Sequence, residues 1–372
     1  MRRRDAARWC AVVMVAATLA ACGSGGDDLS ADGTTTSRGP RFPAAVVSTT
    51  TPGVTTPFGQ SPRGATTSTT RRSTTATLGP TTSAVVTPEP GKPAETPLPV
   101  ARSGVAGAAW QGLVVVAGGM GSGGSGSVRV DAFDPKTGAW SRGPNLPVAL
   151  HDASLAVLGE DLWLVGGFAL EGDQPVAQSA TYFFHPGDTS WQPGPALHTP
   201  RAGAAAATLG NFLVVLGGQT TDGGILDSVE FLPSGGTIWR DAQPMSQARS
   251  YASALTIGDR VYAVGGTTAS ASAVETVESF RSNAAGWRTE SHLDGARSAA
   301  GGAGACVAGG KNAEGIAATI ECFGTGFWVI EGQMRVPRQG LAAVALDGWL
   351  HLIAGSTAGA AVTNTHEVIA LS

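Results

Sequence analysis

The sequence predicts an all-β fold: a six-bladed β-propeller with four antiparallel strands per blade, behind a disordered N-terminal tether. Three observations predict it. A Gly-Gly pair ends a short apolar run at Gly118-Gly119, Gly166-Gly167, Gly217-Gly218, Gly265-Gly266 and Gly309-Gly310, and a degraded sixth unit carries Ala354-Gly355. A tryptophan follows each full pair, at Trp140, Trp191, Trp239, Trp287 and Trp328. A repeat of roughly 45–50 residues with this punctuation is the mark of a propeller blade. Finally, no long run places apolar residues at helical spacing with caps at both ends. The 53 glycines and the low charged fraction of 14% suit tight turns and closely packed strands.

Taken from the start, residues 1–21 read as an export signal. Arg2, Arg3, Arg4 and Arg8 form a positive leader, and Ala11 to Leu19 an apolar stretch too short for a membrane span. It closes on Leu19-Ala20-Ala21-Cys22-Gly23. This order of charge, apolar run, small residues and Cys resembles the lipobox of bacterial lipoproteins. The resemblance implies that Cys22 becomes the first residue and carries diacylglycerol, whose two acyl chains suffice for stable anchoring. The expected location is the outer side of the bacterial cell membrane. Residues 22–91 are dominated by Thr, Ser, Pro and Gly, with Phe42 and Phe58 the aromatics. Such a segment buries too little apolar surface to offset its ordering entropy, and reads as a disordered linker with a reach of about 45 Å.

Residues 92–372 make the propeller. In the third unit, Arg201 to Leu209 reads as strand A, the innermost, and Gly210-Asn211 as a tight turn. Phe212 to Leu216 is strand B, apolar throughout because it is buried on both faces between blades. Gly217-Gly218 ends it, Ser228 to Leu232 is strand C, and Ile238-Trp239 opens strand D. The fifth unit departs: Arg297 to Gly309 is shorter than Arg249 to Gly265, which predicts a truncated A–B hairpin. The sixth ends at strand C. Lys92 to Arg102 matches Trp191 to Arg201 in spacing, so residues 92–98 are expected to supply the last blade's outer edge and close the ring.

Over residues 92–372 the chain resembles the kelch repeat family. The double glycines, the tryptophans, the Arg opening strand A and the acid-x-Phe of strand C carry the resemblance. It implies a binding or scaffold module. Kelch adaptors of ubiquitin ligases hold acidic peptides with arginines at this position, and exported six-bladed kelch proteins include sialic acid mutarotases. Copper-radical oxidases share the scaffold but need Tyr and His clustered at the axis. Of Tyr182, Tyr251 and Tyr262, only Tyr251 is near a strand A start.

The candidate ligand-face residues are Arg102, His151, Arg201, Arg249, Arg297 and Arg338, each placed at the start of a strand A around the central opening. Converging arginines would attract a carboxylate or acidic sugar. A second reading pairs each Arg with an acid on strand C, at Asp131, Glu230, Glu278, Glu321 or Glu367. The second unit carries His151 and Tyr182 instead, both partners changing together, and this reading is the favoured one. Cys306 and Cys322 face each other across a hairpin centred near Glu314, as a disulfide or as two buried thiols. No catalytic residue, cofactor or metal site is assigned, because the six histidines are scattered without a short pair. Residues 101–372 hold 14 Lys+Arg against 22 Asp+Glu, an acidic balance that excludes nucleic acid as the expected partner. The expected function is therefore a lipid-anchored, non-enzymatic propeller binding a protein or an acidic or carbohydrate ligand. The alternative is a carbohydrate-active enzyme resembling the mutarotases.

Overall fold

Six sheets are arranged around one axis, their innermost strands touching in cyclic order. The computed structural model describes residues 91–282 and 284–371. The expected signal peptide at 1–21, the expected lipid-bearing Cys22 and all but the last residue of the expected linker at 22–91 lie outside the described residues. The first blade comprises Ala106–Trp110, Leu113–Ala117, Val130–Asp134 and Ala139–Arg142. The second comprises Ser154–Leu158, Asp161–Val165, Thr181–Phe184 and Gln192–Pro193, with an extra hairpin (Phe168–Glu171 and Gln174–Ala177) between its second and third strands. The third and fourth follow the same antiparallel plan, from Ala205–Leu209 to Arg240–Asp241 and from Ser253–Ile257 to Arg288–Thr289. In the fifth blade the inner strands shorten to Gly301–Ala303 and Cys306–Ala308, the truncation that the sequence spacing demands.

The strand B runs are continuously apolar because alternate side chains serve two interfaces. In the first blade, Val114 and Val116 pack with Leu98, Ala342 and Val344 toward the sixth. Val115 and Ala117 pack with Leu155, Leu162 and Leu164 of the second. A period-two strand that is covered on both sides needs no polar face. The tryptophans join blades in the same way. Trp140, Trp191, Trp239 and Trp287 each donate the indole N–H to a carbonyl of the preceding blade's outer segment, at Thr96, Pro144, Pro195 and Gln243. They pack the ring together, as expected for large aromatics with a polar handle.

The sixth blade has three laddered strands, Ala342–Leu346, Trp349–Ile353 and His366–Ala370. Residues 92–98 lie along its outer edge, but they add no ladder. Pro93 and Pro97 have no N–H to give. The Glu95 carboxylate accepts the Val368 N–H at 3.0 Å instead, and Leu98 N donates to Asn364 O at 2.8 Å. That last bond is repeated around the ring by the amides of Leu146, Leu197, Met245, Leu293 and Met334, each with a buried side chain. Leu98 is thus the sixth member of a set of plugs, and the first and last described segments of the propeller meet at one seam. Leu98 is fully buried, so Leu98→Ala should cost about 2–4 kcal/mol in thermal or chemical denaturation. Val100→Ala, at an exposed site, should change stability by less than about 0.5 kcal/mol.

Candidate functional site

Each strand A is entered through a buried ion pair. Arg102, Arg201, Arg249, Arg297 and Arg338 are at most 3% exposed. The guanidinium reaches over the end of strand B to an acid on strand C. The distances are 2.6 Å to Asp131, 2.6 Å to Glu230, 2.7 Å to Glu278 and 2.8 Å to Glu367, with Arg297 paired to Glu321. On the way it donates to the carbonyl of Gly118, Gly217, Gly265, Gly309 or Ala354. The four glutamates also accept backbone amides of the incoming chain, such as His198 and Thr199 at Glu230. Burial lowers the guanidinium pKa of all five, Arg102 to about 10, while the paired acid opposes the shift. All stay cationic at neutral pH. Their charges are neutralised inside the blades, so these five arginines do not form a ligand face.

His151 is not the sixth member of that set. The second glycine of each pair donates to the carbonyl of the next blade's arginine, as Gly167 does to Arg201 and Gly355 to Arg102. Gly119 donates to Leu150. Leu150 therefore stands at the arginine position, 1% exposed, and Tyr182 stands at the acid position opposite Leu164. The second blade replaces the ion pair by an apolar pair, and His151 falls one residue further along, at the place of Ser103, Ala202, Ser250, Ser298 and Gln339.

The next residue in each blade builds the mouth of the ring. Gly104, Asp152, Gly203, Tyr251, Ala299 and Gly340 all have φ between 53° and 61°. Each N–H donates to the carbonyl of the equivalent residue in the preceding blade, at 2.7–2.9 Å. The six bonds close on themselves around the axis. Three of these positions are glycine, the residue that adopts this backbone without penalty. Asp152 and Tyr251 hold it with full side chains, a departure of the kind that collects at functional sites. The Asp152 carboxylate lies 3.0 Å from His151 Nδ1 and 3.5 Å from the Tyr251 hydroxyl, which accepts from Gln219 Nε2 at 3.2 Å. Burial, reinforced by the Asp152 charge, raises the Tyr251 pKa, so its hydroxyl remains protonated. Behind this mouth runs a channel of about 350 Å³ lined by the inner strands. Its walls are Gly, Ala, Val, Leu and Thr, with no titratable side chain among the described residues.

A family model described as the Kelch motif matches residues 101–147, the first blade with its entering arginine. The first blade carries a kelch motif, and the chain folds as a six-bladed β-propeller. Among curated relatives, the kelch repeat protein M-T8 of Myxoma virus (strain Lausanne) is 32% identical over 99 residues, which are 27% of this chain and 19% of that protein. The chain thus spans about a fifth of the length of the curated relative it matches. The solved structure of YjhT resembles this propeller with a TM-score of 0.65 at 14% identity, over 75% of this chain and 97% of that one. At that identity the likeness is one of fold.

Two further side-chain groups could carry chemistry. Cys306 and Cys322 pair directly across the fifth blade and form a disulfide. His198, Glu230 and Asp241 lie close enough to hold a cation. Glu230, however, already receives Arg201 and two amides, which leaves only His198 and the exposed Asp241, already bonded to each other, to build on. Sequence reasoning did not bring Asp152, Tyr251 and Gln219 together. The available signal was the shared place of Asp152 and Tyr251 two residues after the arginine position, where Gly104, Gly203 and Gly340 stand.

Proposed function

We propose that this chain is a lipid-anchored, exported kelch propeller that works as a non-enzymatic recognition module, meeting a protein or carbohydrate at the axial mouth. The observation that carries the reading is the placement of Asp152 and Tyr251 in left-handed backbone on the closed hydrogen-bonded ring, where three of the other blades use glycine and the fifth the small Ala299. A rigid rim with a few convergent polar groups over a narrow small-residue channel suits surface recognition. The lipobox-like Cys22 supports display outside the membrane, and the Cys306–Cys322 disulfide suits an oxidising compartment. The buried ion pairs remove the earlier reason to favour an acidic ligand.

The carbohydrate-active reading is favoured by one observation, the His151–Asp152–Tyr251 cluster, which has the parts of an acid–base site. One pair of substitutions tests both. Asp152→Gly and Tyr251→Gly copy residues that other blades carry at this place, so the fold should survive with little change in melting temperature. Photo-cross-linkers at exposed Lys311 beside the mouth should capture a partner with the native chain, at least about tenfold less with the double variant. Capture that is unchanged in the double variant overturns the axial site. Anomeric exchange of sialic acid, followed by NMR and abolished by Asp152→Gly, overturns the non-enzymatic reading.

A further inference from the structure

We infer that the seam closing the ring is an acid-operated latch, built on the buried pair His351 and His366 that holds residues 92–98 against the sixth blade. The two rings are 0% and 2% exposed. They stack at 5.2 Å, with His351 Nδ1 2.9 Å from His366 Nε2, and His366 Nδ1 lies 3.0 Å from the Thr96 carbonyl. Thr96 accepts, so His366 carries its proton on Nδ1. Its Nε2 is then an acceptor, and His351 must donate from Nδ1. The three bonded ring nitrogens are matched as donor and acceptor only when both rings are neutral. A proton added to His366 Nε2 would face the N–H of His351. A proton added to His351 Nε2, which has no partner, would be a buried donor without an acceptor.

The location makes the pair a latch. The other blades place Val115, Trp163, Val214, Tyr262 and Cys306 where His351 stands, and Val130, Thr181, Val229, Val277 and Ile320 where His366 stands. None of these is ionisable in this structure at acid pH, and the histidines occur only at the seam among these sites. Phe133 and Trp140 of the first blade cover the pair from the other side of the seam. The charged groups around it are Glu95 on the closing segment, bonded to Lys92 and Arg335, together with the Arg338–Glu367 pair. Asp131 of the first blade is taken by Arg102 and Arg129.

The sign follows from linkage. Burial lowers both histidines from 6.5 to about 4; the His366 charge adds to the effect at His351, while at His366 the Thr96 carbonyl and Glu95 oppose it and Arg338 adds to it. The open seam binds protons that the closed seam refuses. Closure is therefore fully supported above pH 6.5 and weakens as the pH falls toward 4, below which the closed form protonates as well. Burial raises Glu95, but Arg335, the Val368 amide and Lys92 bring it net below 4.5, so it holds its charge through the window from pH 7 to 5.

Amide hydrogen exchange on the full chain tests this, with rates corrected for intrinsic pH dependence. Protection at Leu98 and Val368 should fall at least about tenfold between pH 7 and 5. The equivalent amides of Leu146, Leu197, Met245, Leu293 and Met334 serve as internal controls and should hold. His351→Val with His366→Val copies the third blade and should abolish the pH dependence, since Trp140 still donates to Thr96. Should that variant fail to fold, His351→Val alone keeps the Thr96 bond and should lessen the dependence. Equal loss at all six seams, no loss by pH 5, or an undiminished response in the valine variants overturns the latch. Glu95→Gln that removes the response while the histidines remain overturns it too.

Discussion

Glu230→Ala should destabilise the propeller by about 3–5 kcal/mol, and Arg201→Leu combined with Glu230→Tyr should recover most of that loss. Removing the acid alone strands a guanidinium that is 0% exposed, together with the amides of His198 and Thr199. An uncompensated buried charge is among the most destabilising defects in a protein interior. The recovery is expected because the second blade already folds with Leu150 and Tyr182 in those places. It also has Pro147 where His198 donates, so one amide that needs the acid is absent there. Adding His198→Pro should therefore recover more. Urea denaturation of the four proteins decides it. If the double substitution is as damaging as the single one, the pair does more than satisfy itself, and the structural assignment of all five arginines fails.

Gly218→Ala should cost about 3 kcal/mol or more, and Gly217→Ala clearly less. Gly218 has φ of 96°, and a Cβ there would lie 2.9 Å from the Ala202 carbonyl oxygen and 3.0 Å from the Ala204 side chain. Backbone strain of about 1–3 kcal/mol adds to an overlap of similar size. Its N–H must also stay aimed at Arg249 O, 2.9 Å away in the next blade, so the backbone has little room to relax. At Gly217 a Cβ would fall only 2.2 Å from that same oxygen. Yet the sixth blade carries Ala354 at the matching position, with φ of 61°, and keeps the bond from Gly355 to Arg102. A modest shift between blades evidently accommodates one methyl there. Melting temperatures of the two variants, which are neighbours in sequence, should separate by several degrees. The reverse order would mean that contact with the next blade, and not backbone conformation, sets the need for glycine.

Much of the propeller was legible because blade-making is local. Strand B reads as one apolar run since both of its faces are covered, and Gly217-Gly218 marks its end since the chain there turns beside another backbone. The short fifth hairpin and the facing of Cys306 and Cys322 follow from counting residues along a single hairpin. The last-blade closure was also readable, since Leu98 repeats the spacing of Leu197 before an arginine. Its form was not, because Pro93 and Pro97 turn a ladder into side-chain contacts.

The site was less legible. His151 attracted the arginine assignment because it is basic and lies near the expected spacing, whereas the apolar Leu150 beside it is the true equivalent. Tyr182 was the clue, since an absent acid calls for an absent base.

By itself the sequence determined the repeating blade, its edges and its paired charges, all set by interactions within one sheet or by backbone that only certain residues adopt. The tertiary structure alone decided what meets across the axis and across the seam. Tyr251 reaches Asp152 over 99 positions, and His366 reaches Thr96 over 270. Such contacts depend on how six sheets are phased against one another, and a shift of one residue, invisible in a repeat, changes which side chain arrives.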